Sequence, residues 1–296
     1  MNHRPPRAYS YYPGCSVMAT NRAYDISTRN VASVLGMEII ELDDWNCCGA
    51  TAYMALREKR SFVLSARNLA IAEKEGRELA TVCNACYVVL RKTNKYMAEN
   101  AKLRGEIRKA LQTGGMDYRG TVAVRHFLEI LVNDLGDEPI KRHIVRDLSR
   151  LKVACYSGCQ LSRPFEEVDH PEYPEMMDRF VGWLGAEAVP FPMSAKCCGG
   201  MAMTTHPETG RGLTGKILKV AKQRGADCIA TACPLCQVNL EAYQEKIEAE
   251  VGADCKIPVL YFTQLAGVAF GLKPEDLALK DSLTPVEALF AEKVGS

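Results

Sequence analysis

Residues 80–86 read Ala-Thr-Val-Cys-Asn-Ala-Cys, and residues 230–236 read Ala-Thr-Ala-Cys-Pro-Leu-Cys. A Cys-Cys-Gly motif precedes each copy, at residues 47–49 and 197–199, and 34 residues separate the Cys-Cys pair from the Cys-x-x-Cys pair in both cases. A Gly-Cys pair comes earlier still, at Gly14-Cys15 and at Gly158-Cys159. Because the order and the spacing repeat together, the sequence indicates an internal duplication.

The segments between these motifs repeat as well, in an alternation of short apolar strands and amphipathic helices. The predicted strands are Ala8–Tyr12, Glu38–Leu42 and Glu78–Val82, then Lys152–Tyr156, Ala188–Phe191 and Asp227–Thr231. The predicted helices are Arg22–Leu35 and Ala52–Glu75, then Pro174–Leu184 and Pro207–Arg224. Such alternation predicts an α/β protein of two tandem Rossmann-like halves, with every cysteine motif at the carboxyl end of a parallel strand.

The predicted boundary between the halves lies near Arg150. It gives an N-terminal domain at residues 1–150 and a C-terminal domain at residues 151–296, each with one set of cysteine motifs. A fourth strand and helix close each half, at residues 121–132 and 257–270. The charged segment at residues 136–151 has a helical pattern and is the expected connection, and an amphipathic helical tail follows Leu272.

Composition excludes several classes of function. Lys plus Arg number 37 and Asp plus Glu number 36, so no net charge favours nucleic acid or an anionic membrane surface. The polar start at residues 1–6 lacks the apolar core of a secretion signal, and no apolar run is long enough for a transmembrane segment. We therefore expect a cytoplasmic protein, in which 13 cysteines indicate metal ligation or redox work rather than disulfides.

Each half offers five motif cysteines, whereas a mononuclear zinc site takes four ligands. Five thiolates, two of them adjacent in the chain, favour an iron–sulfur cluster, while zinc in one half and redox disulfides remain alternatives. Cys155, Cys228 and Cys255 have no counterpart in the other half and are predicted to be structural. His126 follows the fourth strand and His206 follows the second Cys-Cys-Gly-Gly, so both are candidates for a site.

The doubled cysteine pattern resembles the CCG cysteine-rich domain pair, and the chain from Tyr9 to Phe270 resembles the B subunit of heterodisulfide reductase from methanogenic archaea. The resemblance implies two halves related by a pseudo-twofold axis, each binding a non-cubane [4Fe-4S] cluster. The implied ligands are the ten motif cysteines: Cys15, Cys47, Cys48, Cys83 and Cys86, then Cys159, Cys197, Cys198, Cys233 and Cys236.

The resemblance also implies an activity and partners. The expected function is that of a catalytic subunit that reduces the heterodisulfide of coenzyme M and coenzyme B, each cluster delivering one electron to the S–S bond. The expected partners are the flavin-bearing A subunit and the [4Fe-4S] C subunit of heterodisulfide reductase, fed by hydrogenase or formate dehydrogenase. Because the substrates are anionic, Arg22, Arg163 and Lys196 are candidate anchors, with His126 and His206 as further candidates.

Two other functions fit the same motifs. One is an iron–sulfur electron-transfer subunit of another CCG-containing oxidoreductase, of the glycolate or lactate oxidase type or of the succinate:quinone reductase type. The other is a zinc-stabilised scaffold that binds partner proteins without chemistry. Iron with acid-labile sulfide would distinguish the redox functions from the scaffold.

Overall fold

The computed structural model describes residues 8–165, 167–252 and 254–295. The polar segment at residues 1–7, where the sequence predicts no secretion signal, lies outside the described residues. Two four-stranded parallel sheets, one in each half, have the equivalent strand orders β2-β1-β3-β4 and β6-β5-β7-β8. The predicted α/β class with two tandem halves is confirmed.

The first half begins with the strand that lies at the centre of its sheet. Its strands are β1 (Ala8–Tyr12), β2 (Glu38–Glu41), β3 (Leu79–Thr81) and β4 (Val124–His126). Its helices are α1 (Arg22–Val34), α2 (Ala52–Leu56), α3 (Glu58–Glu75), α4 (Asn84–Glu99), α5 (Ala101–Thr113), α6 (Phe127–Glu129) and α7 (Asp137–Lys141), with a π-helical stretch at Ile130–Leu135. In the sheet register Tyr12 lies opposite Thr81, so the strands end side by side.

The second half repeats this plan. Its strands are β5 (Lys152–Tyr156), β6 (Glu187–Ala188), β7 (Cys228–Thr231) and β8 (Val259–Tyr261). Its helices are α8 (Met176–Trp183), α9 (Ala202–Thr205), α10 (Pro207–Gln223), α11 (Pro234–Glu241), α12 (Gln244–Val251), α13 (Phe262–Ala269) and α14 (Glu287–Lys293), with 3-10 turns at Glu275–Leu277 and Leu279–Asp281. Tyr156 lies opposite Thr231, the same register as in the first half.

Most predicted strands and helices are present within a few residues of their predicted ends. The long helix predicted at residues 52–75 is divided at Arg57, whose backbone (φ −147°, ψ 61°) is not helical. The connection predicted as helical at residues 136–151 forms only α7. The backbone N–H groups of Val145 and Arg146 donate instead to the carbonyl of Ala269 at the end of α13, so this segment caps a helix of the other half.

The helices of the two halves pack crosswise. The first helix of the first half, α1, lies against α13 at the end of the second half, and α8 lies against α6 and the π-helical stretch. The Tyr24 and Tyr261 rings stack at 3.9 Å between centroids, nearly parallel, and one continuous core of buried side chains spans both halves. Within the described residues no helix has both the length and the apolar character needed to cross a bilayer.

Candidate metal centres

Strand ends position the cysteine motifs. The Gly-Cys pairs follow β1 and β5, and the Cys-Cys-Gly motifs follow β2 and β6. Cys83 and Cys233 have extended backbones and are the N-cap residues of α4 and α11. A helix N-terminus stabilises negative charge, so these positions favour the thiolate form. All ten motif cysteines thus gather at the carboxyl edges of the two sheets.

In the first half the thiols lie in contacting pairs. The Cys15 and Cys47 sulfurs are 3.8 Å apart, and the Cys48 and Cys86 sulfurs are 3.2 Å apart. A hydrogen bond from Cys15, then one from Cys48, lowers the pKa of the Cys47 thiol to about 2, and the Gly49 N–H also donates to Cys47 Sγ at 3.5 Å. The thiolate form is therefore favoured at Cys47.

The second half repeats the arrangement. The Cys198 and Cys236 sulfurs are 3.5 Å apart. A hydrogen bond from Cys159 lowers the pKa of the Cys197 thiol to about 6. The inner cysteines of both halves are buried, while Cys47 and Cys197 are exposed at the surface. Each site is therefore buried on one side and open to solvent on the side of Cys47 or Cys197.

Glycines leave the space beside the sulfurs free. Gly14 and Gly158 have left-handed backbones, with φ of +83° and +74°. A Cβ at Gly14 would lie 3.1 Å from Cys86 Sγ, and one at Gly158 would lie 3.4 Å from Cys236 Sγ. Only glycine combines this backbone conformation with such a close approach to a sulfur ligand.

The two sites meet across the boundary between the halves. A hydrogen bond from Cys233, then one from Cys86, lowers the pKa of the Cys83 thiol well below its usual value. Asn84 Nδ2, between the two cysteines of its motif, donates to the carbonyl of Ser157 in the other half at 2.8 Å. The buried ends of the two cysteine sets therefore face each other.

The Cys-Cys-Gly turns are held differently in the two halves. In the first, Ser65 Oγ donates to the Cys48 carbonyl at 2.9 Å, and Ser61 Oγ donates to the Gly49 carbonyl at 3.0 Å. In the second, Thr214 Oγ1 donates to the Cys198 carbonyl at 3.0 Å. Gly210 is the second-half residue equivalent to Ser61 and has no hydroxyl to donate. A Cβ at Gly199 would lie 2.9 Å from Gly210 Cα.

Asn239 donates further hydrogen bonds to the second turn. Its Nδ2 lies 3.1 Å from the Cys198 carbonyl, 3.0 Å from the Gly200 carbonyl and 3.6 Å from Cys198 Sγ. Asn239 is three residues beyond Cys236, and the residue at the same distance beyond Cys86 is Val89. The second site thus has an amide donor where the first has a buried aliphatic side chain.

The cationic candidates occupy two separate places. Arg22 is exposed and lines a cavity of about 350 Å³ between the halves. Glu172 joins Arg163 and Lys196, with each nitrogen–oxygen distance at 3.4 Å. The hydrogen bond from Cys159 and one from the Gly199 N–H lower the pKa of Cys197 against the effect of burial, and the Arg163 guanidinium lowers it further. Arg163 and Lys196 therefore lie beside the second site.

The two histidine candidates differ in their surroundings. His126 is fully buried, and its Nδ1 accepts from the Leu128 N–H at 3.2 Å. Burial lowers the pKa of His126 to about 4, so the ring is neutral near pH 7. His206 is exposed at the start of α10, where its Nδ1 lies 3.2 Å from Thr205 Oγ1. Cys155, Cys228 and Cys255 are buried and belong to none of the thiol pairs.

Sequence reasoning missed the asparagines at this site, Asn21, Asn84 and Asn239. Asn21 Nδ2 donates to the Pro234 carbonyl at 3.3 Å and to the Tyr261 hydroxyl at 2.7 Å. Aligning the two halves residue by residue would have revealed Asn239, because it replaces a valine. The hydrogen-bond partners of Asn21 and Asn84 belong to the other half, so no pattern within one half predicts these bonds.

The donor set fits iron–sulfur clusters. Thiolates are the usual ligands of such clusters, and five of them surround each glycine-lined space. Among the residues that the structure describes, no three or more His, Cys, Asp or Glu side chains are spaced to hold a single metal ion. The sulfurs instead form contacting pairs around the two spaces.

This fold and this doubled cysteine set define the class of the protein. Residues 9–91 and 153–241 both match the cysteine-rich domain family designated CCG. The chain therefore belongs to the CCG cysteine-rich domain family, whose domain it contains twice.

Individual relatives extend over nearly the whole chain. The chain is 31% identical over 279 residues to the 8-methylmenaquinol:fumarate reductase membrane anchor subunit of Wolinella succinogenes, covering 94% of this chain and 97% of the relative. It is 31% identical over 278 residues to the B subunit of the ferredoxin/F420H2-dependent CoB-CoM heterodisulfide reductase of Methanosarcina acetivorans, covering 92% of each. The resemblance to the B subunit of heterodisulfide reductase is thus confirmed.

A solved structure agrees in fold. A hypothetical protein from Helicobacter pylori superposes with a TM-score of 0.79 at 16% identity, covering 96% of this chain. The chain spans 53% of the length of that protein. At this identity the likeness concerns the fold alone.

Proposed function

We propose that the chain is an iron–sulfur subunit of an oxidoreductase complex, with one non-cubane [4Fe-4S] cluster in each half. The proposed ligands are the ten motif cysteines of the two halves. The family match, the paired thiols and the glycine-lined spaces support this assignment. The zinc scaffold has less support, because each half gathers five thiols rather than the four that a mononuclear zinc takes.

One observation carries the choice of reaction: the two cysteine sets are adjacent, because Asn84, between Cys83 and Cys86, donates to the carbonyl of Ser157, two residues before Cys159, at 2.8 Å. Reducing a disulfide consumes two electrons and two protons and gives two thiols. Clusters bound at these sites would supply electrons singly. Two adjacent clusters could each supply one electron to the same substrate, which would account for two sites on one chain.

The proposed substrate is the heterodisulfide of coenzyme M and coenzyme B. The Methanosarcina relative named for that activity supports this choice. Arg163 and Lys196 lie beside the second site, where cationic side chains would hold the anionic groups of the substrate. The proposed partners are the A and C subunits of the same enzyme, with hydrogenase or formate dehydrogenase as the upstream donor.

Anaerobically purified chain tests the proposal. We expect about eight irons per chain, two clusters of four, and heterodisulfide-dependent oxidation of an artificial reductant. Cys47→Ser should lower the iron content and nearly abolish turnover. Cys155→Ala removes a buried cysteine outside the paired thiols and should leave both unchanged. Zinc in place of iron, or full turnover by Cys47→Ser, would contradict the proposal.

The Wolinella relative supports a second candidate, in which the same two sites exchange electrons with a quinol. The same preparation distinguishes the two functions. Oxidation of 8-methylmenaquinol without any response to the heterodisulfide would favour the quinol-linked function.

A further inference from the structure

We propose that the cluster of the second half has the higher reduction potential of the two, because Asn239 and Arg163 stabilise added negative charge there. This inference rests on the proposed function, in which each half holds a cluster. Reduction makes a cluster more negative, so hydrogen-bond donors and cations near its sulfurs raise its potential.

The first difference between the halves is the amide of Asn239. Its Nδ2 lies 3.6 Å from Cys198 Sγ, and Asn239 is almost fully buried. Val89 occupies the equivalent position beyond Cys86 and has no donor. In a buried environment a hydrogen bond to a charged group is stronger than at the surface, because water does not compete for it.

The second difference is the charge beside the exposed cysteine. Lys196 precedes Cys197, whereas Asn46 precedes Cys47, and Arg163 lies four residues after Cys159, where the first half has Ala19. With Glu172 between them, Arg163 and Lys196 leave one net positive charge.

The corresponding group of the first half is neutral. Arg67 Nη1 donates to Asn46 Oδ1 at 3.0 Å, and the same guanidinium forms an ion pair with Asp44. The local charge therefore favours reduction only in the second half.

Burial acts in the opposite direction, but it differs little between the halves. Cys159 is less exposed than Cys15, which disfavours the reduced form of the second cluster. The three buried cysteines of each half are nearly equally buried, with Cys48 and Cys198 exposed by 3% and 4%. The Asn239 amide and the net positive charge therefore determine which cluster has the higher reduction potential.

Potentiometric titration of the intact chain, followed by EPR, tests this order. Cys47→Ser retains only the second cluster and Cys197→Ser only the first, so each variant assigns one midpoint. We expect the higher midpoint in Cys47→Ser. Within that background, Asn239→Val and Arg163→Gln should each shift the midpoint to lower potential.

Ser61→Ala in the Cys197→Ser background is the matched control. It removes a hydrogen bond to a turn carbonyl, as Asn239→Val does, but no donor to a sulfur, so the midpoint should not move. Equal midpoints, the reverse order, or no shift in either substitution would overturn the inference. If Asn239→Val loses its cluster, the midpoint of Arg163→Gln alone tests the inference, and an unchanged midpoint there would overturn it. An iron-free parent protein would instead overturn the proposed function and this inference with it.

Discussion

At the scale of single residues, Glu241 is a buried carboxyl at the end of α11. It is 4% exposed, and its Oε1 accepts from the Thr284 N–H at 3.1 Å. Burial raises the pKa of Glu241 from 4.5 to about 7. Between about pH 4.5 and pH 7 the folded protein therefore keeps this carboxyl protonated, whereas the unfolded chain has already released the proton.

The sign of the pH dependence follows from this shift. Because the folded state binds the proton more tightly, the contribution of Glu241 to the free energy of unfolding decreases as pH rises from about 4.5 to 7. The full shift corresponds to about 3 kcal/mol. We expect Glu241→Gln to unfold with a shallower pH dependence in that range and to exceed the parent in stability at pH 8.

Denaturant titrations at several pH values measure this difference. Glu245→Gln is the control, because it alters an exposed carboxylate on the neighbouring helix. We expect its free energy of unfolding to depend on pH as that of the parent does. A Glu241→Gln profile parallel to that of the parent would contradict the argument.

Also at this scale, the sequence predicted the ten thiols as a set but not what surrounds them. Cysteine spacing is a local signal, visible within one half. The bonds from Asn84 to Ser157 and from Asn21 to Pro234 join residues far apart in the chain. Their partners are defined only when the halves pack, so no local pattern predicts them.

At the scale of elements, the turn after the second vicinal pair depends on two glycines in contact. Gly199 has φ of +89°, and a Cβ there would lie 2.9 Å from the backbone of Gly210 on α10. Gly199→Ala therefore combines backbone strain with a backbone clash. We expect a loss of more than about 2 kcal/mol in stability and less iron in the second half.

Gly225→Ala is the matched control for that prediction. Gly225 follows α10 with φ of +71°, and nothing lies within 4 Å of its added Cβ. Backbone strain alone should cost about 1 kcal/mol there. Denaturation and iron analysis of both variants provide the measurement, and equal effects would show that the clash is unimportant.

The elements also show where sequence patterns were sufficient. Most strand ends beside the cysteines were predicted well, because apolar runs are local. The connection at residues 136–151 was predicted as helical and mostly is not. Its backbone N–H groups instead donate to the carbonyl of Ala269. That acceptor belongs to the other half, so the local sequence pattern does not predict the contact.

At the scale of the whole molecule, the two halves share one aromatic core. Phe262 is fully buried, with ring centroids 5.5 Å from Phe180, 6.0 Å from Tyr24 and 6.4 Å from Phe127. Tyr24 and Phe127 belong to the first half, Phe180 and Phe262 to the second. Neither half can lose this contact without exposing aromatic surface of the other.

The two tryptophans, Trp45 and Trp183, report on separate halves. Variants that retain only one of them, through Trp45→Phe or Trp183→Phe, should unfold with coincident midpoints in denaturant. Phe262→Ala should destabilise both transitions together by about 3–5 kcal/mol. Fluorescence of each single-tryptophan variant makes the comparison, and two separate transitions would show that the halves unfold independently.

The crosswise packing of α1 on α13 and of α8 on α6 has an evolutionary consequence. Two separate copies of one half would form this same contact twice, as a symmetric homodimer does. In a homodimer every mutation appears on both sides of the axis at once. Joining the copies in one polypeptide removes that constraint, so Val89 and Asn239 could diverge after the duplication. The covalent link thus allowed two identical ancestral sites to specialise.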